Sequence, residues 1–417
     1  MAKSSNLTDD MVVQILSRLP PKSLMRFKCV RKLWCDLIDS PSFVASHLSN
    51  SNLKSKSDSS TSIVVKHTVK NVEDDRKHIL LSLLNVCKDV SDGDDCVEDL
   101  GVVYPLLSIS SPNFEIAGYC DGIFCLSLHF CPEDIALVNP AIMEFQFLPK
   151  SGLLLPAPQP DVADRVDTIT NAIGFGYDSK AETYKVVRIV KFLPGPRKAE
   201  VYTLGADSWR EVKFEIDCSV IWTPSFYFYF KGVFYWFATD LHNNDFILTF
   251  DMGEEVFHNI PVPYDSLERF AWNCSLAVWN ESIALFCYCK DEGTGLSIFD
   301  IWEMDDSTGE VKSLWSKKCL TIESVPSIEI PLVFWKNDEL LLTATDGRIV
   351  SYNIRTQKLK DLPIHGLENP LYIQAVLYAE SLVSVRGGNQ PLTIDPNRYT
   401  GRYVKFFLCV FLLLYIN

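Results

Sequence analysis

The feature that most constrains the fold of this 417-residue chain is a two-part unit that recurs over its last three quarters. In the first part, an apolar run meets a short polar turn and a second apolar run follows. This pattern occurs at residues 114–128, 226–239, 275–288 and 331–345. The second part repeats it, often ending in Leu-Pro or Ile-Pro, at residues 135–149, 200–214, 247–261, 300–315 and 348–363. Apolar runs around such turns are typical of antiparallel β-hairpins.

The spacing of these hairpins indicates a mainly-β, kelch-like propeller. The turns of the second part are centred near residues 140, 206, 253, 307 and 356, and most steps are close to fifty residues. Four strands in each unit of that length are typical of propeller blades. The one longer step contains a Pro-rich stretch at 148–165 and a further hairpin at 172–190. The run at 371–385 is expected to close the ring, and the pattern leaves six or seven blades open.

The first fifty residues have helical periodicity instead and form an all-α head. Apolar residues recur at helical spacing over Asp9–Arg18, and Thr8 is a suitable N-cap. Pro21 opens a second predicted helix, Lys32–Ile38 is a third, and a short turn follows Pro41. The apolar side chains outnumber those that three short helices can cover, so we expect part of the head to face a partner.

Charge separates the head from the rest of the chain. The net charge is -14, and residues 1–50 hold seven Lys/Arg against four Asp/Glu, so the remainder carries -17. An acidic protein is a poor ligand for nucleic acid or an anionic membrane and favours a basic partner. The acidic side chains cluster at Asp89, Asp92, Asp94, Asp95, Glu98 and Asp99. We interpret this cluster as a loop that faces a basic protein, the alternative being a solvated loop without a partner.

These patterns divide the chain into four segments. Residues 1–50 are the head, 51–62 a flexible Ser-rich linker, 63–386 the propeller and 387–417 a C-terminal extension. The apolar tail at 406–416 is too short to span a bilayer, which takes about twenty residues. The start of the sequence has no apolar run of the signal-peptide type, so we expect a cytoplasmic protein whose thirteen cysteines are reduced.

No residue pattern indicates catalysis, a metal site or a cofactor. Cys120, Cys125, His129 and Cys131 lie close together but match no zinc spacing, and alternation along a strand pair explains them. Walker-type, Gly-x-Ser-x-Gly and His-Glu-x-x-His motifs are absent from the sequence. A basic strip is interpreted as a solvated edge strand; it consists of Lys185, Arg188, Lys191, Arg197 and Lys198. Six tryptophans are predicted to fill the space between blades: Trp209, Trp236, Trp279, Trp302, Trp315 and Trp335.

The head resembles the plant form of the F-box, through ILSRLP, PKSLMRF, KCV, a Trp and SPSFVASHL in that order. The resemblance implies docking on the Skp-type adaptor of a cullin-RING ubiquitin ligase. It places adaptor contacts at Leu7, Ile15, Leu16, Leu19, Pro20 and Leu24, with Val30 and Trp34 supporting the fold and the edge of the interface. The sequence departs from the family at Thr8, where Pro is usual, at Arg31, where a small residue is usual, and at Leu33, where Ser is usual.

The remainder resembles the F-box-associated domain, through GYCDGIFCL, NPAIMEFQFLP, GFGYDSKAETYKVVRI, KGVFYWFA and ILTFDMGEEVFHNIP. The whole chain is similar to the S-locus F-box proteins of pollen. This implies a non-catalytic substrate receptor of an SCF-type ligase that binds non-self S-RNases, basic ribonucleases of the pistil, in the pollen tube cytosol. The alternatives are an F-box receptor for an unrelated plant substrate, or a propeller enzyme with a helical head.

Overall fold

The computed structural model describes the head, most of the propeller strands and the segment that follows the last strand. The described residues are 8–56, 60–70, 77–88, 95–99, 114–128, 131–154, 167–193, 195–221, 227–263, 274–290, 297–304, 315–320, 328–336, 338–344, 346–362, 364, 367–368 and 373–386. The predicted extension at 387–417 and most of the Pro-rich stretch at 148–165 lie outside them.

The head consists of four helices: α1 (Asp9–Leu16), α2 (Pro21–Phe27), α3 (Lys32–Ile38) and α4 (Pro41–Lys56). Thr8 caps α1 as predicted, since its side chain accepts a hydrogen bond from the Met11 amide. Pro21 occupies the first position of α2, where its missing N–H costs nothing.

The fourth helix is much longer than the predicted short turn. Serine-rich sequence is a weak helix former, but side chains of α4 hold it to the turn that follows α1. A ring nitrogen of His47 lies 2.9 Å from the Leu19 carbonyl oxygen, and Asn50 Nδ2 donates to the Ser17 carbonyl. The prediction of a flexible linker is therefore wrong for residues 51–56, which are helical, and the first strand begins at Ser60.

Six antiparallel sheets follow, which settles the number of blades at six. Blade 1 begins with β1 (Ser60–Lys70), β2 (Lys77–Lys88) and β3 (Asp95–Asp99). Blade 2 contains β4 (Phe114–Cys120), β5 (Ile123–Leu128), β6 (Cys131–Asn139) and β7 (Glu144–Phe147), with a 3-10 turn at Pro140–Ile142. Blade 3 contains β8 (Asp167–Asp178), β9 (Thr183–Leu193), β10 (Arg197–Thr203) and β11 (Arg210–Val212).

Blade 4 contains β12 (Cys218–Val220), β13 (Tyr227–Phe230), β14 (Val233–Asp240), β15 (Asp245–Asp251) and β16 (Val256–Pro261). Blade 5 contains β17 (Cys274–Trp279), β18 (Ser282–Lys290), β19 (Ser297–Met304) and β20 (Trp315–Leu320). Blade 6 contains β21 (Ile328–Lys336), β22 (Glu339–Ala344), β23 (Ile349–Asn353) and β24 (Lys358–Asp361). The chain then returns to blade 1 through β25 (Leu367–Glu368) and β26 (Gln374–Tyr378).

The ring closes between the two ends of the propeller sequence, as predicted. Strand β26 pairs antiparallel with β1, with Tyr378 opposite Ser62 and Gln374 opposite Lys66. Blade 1 therefore takes its innermost strand from the end of the chain and its outer strands from the beginning. This arrangement means that the ring cannot be complete until the last strand has been added.

The Leu-Pro and Ile-Pro ends of the repeat have a structural role. The indole nitrogen of Trp209 in blade 3 donates to the carbonyl oxygen of Pro149, just after blade 2, at 2.7 Å. Trp315 of blade 5 makes the same bond to Pro261 of blade 4, at 2.8 Å. The predicted inter-blade role of the tryptophans is confirmed in these two cases and in Trp236 of blade 4, whose indole nitrogen donates to the Ile173 carbonyl oxygen of blade 3 at 3.0 Å. Trp236 and the remaining three, Trp279, Trp302 and Trp335, are buried.

The basic strip is not a solvated edge strand. Strand β9 lies in the interior of its sheet, between β8 and β10, and Lys185 and Arg188 are 6% and 0% exposed. Arg188 pairs with Glu200 at 2.8 Å and its guanidinium lies 4.3 Å from the centre of the Trp209 ring. Lys185 pairs with Asp178 and Glu255, the second from blade 4. The prediction was wrong because the acidic partners lie on other strands and turns, where sequence spacing gives no sign of them.

Candidate functional site

The interior of the head extends into the propeller. Leu16, Leu24, Ile38 and Phe43 form the centre of a buried cluster. The cluster also contains Ile142, from the 3-10 turn of blade 2, and Leu382, which follows the last strand of the ring. Both propeller residues are buried, at 7% exposed. The head is thus seated on the ring by a shared hydrophobic core.

The segment after β26 is held against blade 2 by hydrogen bonds. Asn139 Nδ2 donates to the carbonyl oxygens of Ser381, at 3.2 Å, and Val383, at 2.8 Å. The Ser381 hydroxyl donates to the Asp121 carbonyl oxygen, and a Cβ on Gly122 would lie 2.5 Å from that hydroxyl. The same segment that completes the ring therefore forms the seat for the head.

Four large apolar side chains among the described residues of the head remain exposed. Met11 and Ile15 lie one helical turn apart on α1 and are each 49% exposed. Val30 and Leu33, on either side of the start of α3, are 65% and 61% exposed. We call these four residues the apolar head surface. Large exposed apolar side chains concentrated in so short a stretch of sequence favour a protein interface.

The predicted adaptor contacts divide into exposed and buried residues. Ile15, Pro20 and Val30 are exposed and Leu19 is half-buried. Leu16 and Leu24, at 3% and 0% exposed, lie in the shared core and offer no surface to a partner in this structure, since their side chains hold the head together.

Two further residues of the predicted set are placed differently. Trp34 is half-buried and packs edge-to-face on Phe27, with ring centres 5.7 Å apart, which agrees with a supporting role. Leu7 lies outside the described residues. Sequence reasoning missed Met11 as an exposed residue, although its spacing of four from Ile15 placed the two on one side of α1.

The two faces of the ring differ. The hairpin turns at 121–122, 231–232 and 280–281 follow the innermost strands and lie at the same face as the head, as does the turn at Pro140–Ile142. We call this the head face, and the opposite side the open face. The turn between β14 and β15 lies at the open face and carries Leu241, which is 70% exposed.

The acidic cluster is only partly described. Asp89, Asp92 and Asp94 lie outside the described residues, whereas Asp95, Glu98 and Asp99 belong to β3 and not to a loop. In the antiparallel register, Asp95 of β3 lies opposite Lys88 of β2. The neighbouring residue Cys87 lies opposite Ser60, which begins β1 shortly after α4 ends. This part of the cluster therefore lies on the outermost strand of blade 1, toward the head face.

A hydrogen-bonded contact crosses the centre of the ring. Gln374 of β26 accepts from the Ile116 amide at 2.9 Å and donates to the Ile116 carbonyl and the Tyr227 hydroxyl, each at 3.0 Å. These residues come from blades 1, 2 and 4. A cavity of about 360 Å³ adjoins the contact and is lined by the innermost strands, with no charged side chain among its lining residues.

The cysteine group has the predicted placement on strands. Cys120 and Cys125 are buried on β4 and β5, and burial raises the pKa of both thiols. Cys131 begins β6, and His129 lies outside the described residues.

None of the helices in the described part of the chain combines the length and apolar character needed to cross a bilayer.

Comparison with known proteins finds a family match for the helical head and another for the propeller. Residues 4–46 match the F-box domain and residues 78–385 match the F-box associated beta propeller domain. F-box/kelch-repeat protein At3g23880 of Arabidopsis thaliana is 28% identical over 346 residues, which are 82% of this chain and 86% of that protein. F-box protein CPR1 of the same plant is 25% identical over 405 residues, 90% of this chain and 88% of that protein.

Among solved structures, TolB from Acinetobacter baumannii aligns with a TM-score of 0.42 and 12% identity, over 80% of this chain and 72% of TolB. The propeller model alone matches well over half of the chain, and the F-box match accounts for the helical head that precedes it. The chain therefore belongs to the plant F-box proteins that carry an F-box-associated β-propeller domain.

Proposed function

We propose that this chain is the substrate-recognition subunit of an SCF-type ubiquitin ligase, with the head bound to a Skp-type adaptor and the propeller bound to a protein substrate. The observation that carries the proposal is the apolar head surface, which stays exposed although the head is seated on the ring. The adaptor in turn connects the chain to the cullin and RING subunits of the ligase. The chain supplies position and effective concentration, and the chemistry of ubiquitin transfer belongs to its partners.

The adaptor contact in this proposal consists of the apolar head surface together with Leu19 and Pro20. Leu7 remains a predicted contact. Leu16, Leu24 and Trp34 act by holding the exposed residues in place, because they are buried or half-buried in the head. Leu33 adds exposed apolar area at a position where the family usually has Ser.

A pair of matched substitutions tests whether the adaptor binds the head and not the open face of the propeller. Ile15→Asp places a charge in the centre of the proposed adaptor contact and is expected to weaken adaptor affinity by about 30-fold or more, as hot-spot losses do. Leu241→Asp places the same charge on an exposed apolar residue of the open face and is expected to leave adaptor affinity unchanged. Calorimetric titration of the adaptor into each full-length variant measures both values. Equal affinity of the two variants would remove the head surface from the proposal.

For the substrate, we propose a basic S-RNase, with recognition in the pollen tube cytosol. The support is the charge of the chain beyond residue 50, which is -17, and the resemblance to the pollen proteins. The open face, with Leu241 at its rim, is the proposed docking surface because the head occupies the other face. An unrelated plant protein is the alternative substrate.

The acidic cluster is proposed to steer the substrate and not to lie beneath it. Asp95, Glu98 and Asp99 sit at the outer edge of blade 1, toward the head face, and long-range attraction acts mainly on the association rate. The triple change of these residues to Lys, made with Asp89, Asp92 and Asp94 intact, is expected to slow association at low salt and to flatten its salt dependence.

The substrate experiment uses a panel of purified S-RNases and surface plasmon resonance with the adaptor-bound receptor. A matched control reverses three acidic residues of blade 3, Asp207, Glu211 and Glu215, and should alter the association rate less. If no member of a broad panel binds while the adaptor does, the S-RNase proposal falls and the receptor proposal stands. If the blade 3 control slows association as much as the blade 1 change, the cluster has no specific role.

A further inference from the structure

Two cysteines in blade 5 face each other at close range. Cys274 begins β17, and Cys287 is its partner in the antiparallel register with β18. Their sulfur atoms are 2.9 Å apart, and the two side chains are 4% and 0% exposed. Neither residue belongs to the apolar head surface, and both are buried at the end of the β17–β18 hairpin that lies toward the open face. Their juxtaposition is an observation that does not rest on the proposed ligase function.

The register of the hairpin favours a covalent bond between them. The two-residue turn Asn280-Glu281, with positive φ at both positions, joins Trp279 to Ser282. The residues that flank such a turn form a hydrogen-bonded pair, and hydrogen-bonded and non-hydrogen-bonded pairs then alternate along the hairpin. Cys274 and Cys287 lie five pairs further on and form a non-hydrogen-bonded pair. The Cα atoms of such pairs are about 4.5 Å apart, inside the range of about 4.4 to 6.8 Å that disulfides span.

We propose that Cys274 and Cys287 are a dithiol that a hydroperoxide oxidises reversibly to a disulfide. One thiolate attacks the peroxide oxygen, giving a sulfenic acid and releasing water or an alcohol. The second thiol attacks the sulfenic sulfur, the S–S bond forms, and a water molecule leaves. In total the two thiols lose two electrons and two protons, and the peroxide is reduced.

Burial sets the pace of this reaction. Hydrogen bonding to Cys287, together with burial, raises the pKa of the Cys274 thiol, so little thiolate is present at neutral pH. Oxidation of the folded protein is therefore slow and depends on transient opening at the start of β17. The same burial shields the disulfide from reductants once the strand has closed again. The disulfide therefore forms slowly and, once formed, is reduced slowly.

The disulfide ties an innermost strand to its neighbour. Leu276 and Val278, further along β17, line the central cavity. Oxidation would fix the start of this strand, at the open face, and is expected to raise the melting temperature of the propeller, since a cross-link restricts the unfolded chain. Cys218 offers a control, because it is equally buried but lies opposite Asp240 on β14.

The test treats the reduced full-length chain with hydrogen peroxide, alkylates the remaining thiols and maps the cysteines by mass spectrometry without reduction. The expected product is a peptide pair joined through Cys274 and Cys287, lighter by two hydrogen atoms, which a strong dithiol reverses. Alkylation of both thiols after prolonged oxidation overturns the proposal, as does a cross-link from either of them to a different cysteine.

Variants separate the pair from general oxidation. Peroxide is expected to raise the melting temperature of the wild-type chain and of Cys218→Ser, and to leave Cys274→Ser and Cys287→Ser without that rise. An equal rise in all four proteins would assign the effect elsewhere. Because the mapping experiment uses the wild-type chain, the proposal remains testable even if a serine variant does not fold.

Discussion

The head and the propeller are stabilised in different ways. Among the described residues, four of the nine exposed large apolar side chains belong to the head, which is a small fraction of the chain. The other five belong to the propeller, which is several times longer than the head and, in addition, places ion pairs in its interior. Arg188 with Glu200 and Lys185 with Asp178 are examples. The head leaves apolar side chains exposed that a binding partner could cover. The ring of the propeller is closed by the last strand of the chain itself.

This difference teaches that each region tolerates a different kind of change. A buried ion pair adds little over a well-packed apolar pair, but removing one partner leaves an uncompensated charge in the interior. Within the described residues of the head no Lys, Arg, Asp or Glu is buried, and the buried polar side chains are those of Ser17 and His47. Loss of one partner of a buried ion pair should therefore destabilise the propeller most, and loss of a packed apolar side chain should destabilise the head most.

The largest expected effect comes from Glu200→Gln. The change leaves Arg188, which is fully buried, without its carboxylate, and is expected to lower the free energy of unfolding by about 3–5 kcal/mol. Guanidinium denaturation of the full chain measures the loss. Glu211→Gln is the matched control, because its partner Lys198 is 42% exposed and exposed pairs contribute about 0–1 kcal/mol. Similar losses for the two variants would contradict the role given to interior charge.

A second prediction concerns acid. His67 of blade 1 is 3% exposed, and burial lowers its pKa to about 4. The unfolded chain then binds a proton more readily than the folded one between pH 6.5 and 4. Stability is therefore present above pH 6.5 and falls on the order of 3 kcal/mol as the pH drops through this window.

The His67 contribution is isolated by difference. His67→Gln carries no charge at any of these pH values and can still bond Ser82, which lies 2.9 Å from the imidazole Nε2. Its unfolding free energy should vary less with pH than that of the wild type, while the exposed control His258→Gln should follow the wild type. Parallel pH curves for wild type and His67→Gln would show that the burial of His67 has no such cost.

The sequence was sufficient to predict what is local and periodic. Alternating apolar runs with turns at fixed spacing predicted the hairpins of blades 2 to 6, and Thr8 and Pro21 predicted the start of two helices. The closing role of the run at 371–385 also followed, because an unpaired apolar strand must be covered. The family resemblance predicted the head and the propeller, and the number of blades came only from the structure.

What could not be predicted depends on contacts between residues far apart in the chain. Lys185 looked like a solvated lysine because Glu255, seventy positions away, gives no sequence sign of its approach. The helical Ser-rich end of α4 follows side chains that bond to the turn after α1. Leu16 and Leu24 matched an adaptor-binding motif, but their burial depends on the seat that Ile142 and Leu382 provide.

A third prediction tests that seat. Leu382→Ala removes a side chain from the shared core and is expected to weaken the head by about 2 kcal/mol, toward the low end of the range for buried leucine. Hydrogen exchange of the amides in α1 to α3 should accelerate by about 30-fold, while that of β14 and β15 stays unchanged. Leu359→Ala, at an exposed leucine of blade 6, should alter neither region. Equal acceleration in head and propeller would mean that they do not respond separately.

The smallest expected effect concerns the bonds between blades. Trp209→Phe and Trp315→Phe each remove an indole N–H that donates to a proline carbonyl of the preceding blade. Each should cost about 1 kcal/mol beyond the loss of ring area, the usual contribution of one hydrogen bond. Trp302→Phe removes a buried indole N–H that has no hydrogen-bond partner among the described residues, so it reports the loss of ring area, including the contact of the ring with Lys317, offset by the removal of an unpaired donor. If Trp302→Phe destabilises the chain as much as the other two per unit of buried ring area, the proline carbonyls contribute nothing to the ring. An excess at Trp209 and Trp315 would show that the carbonyl at the end of the preceding blade helps to hold neighbouring blades together.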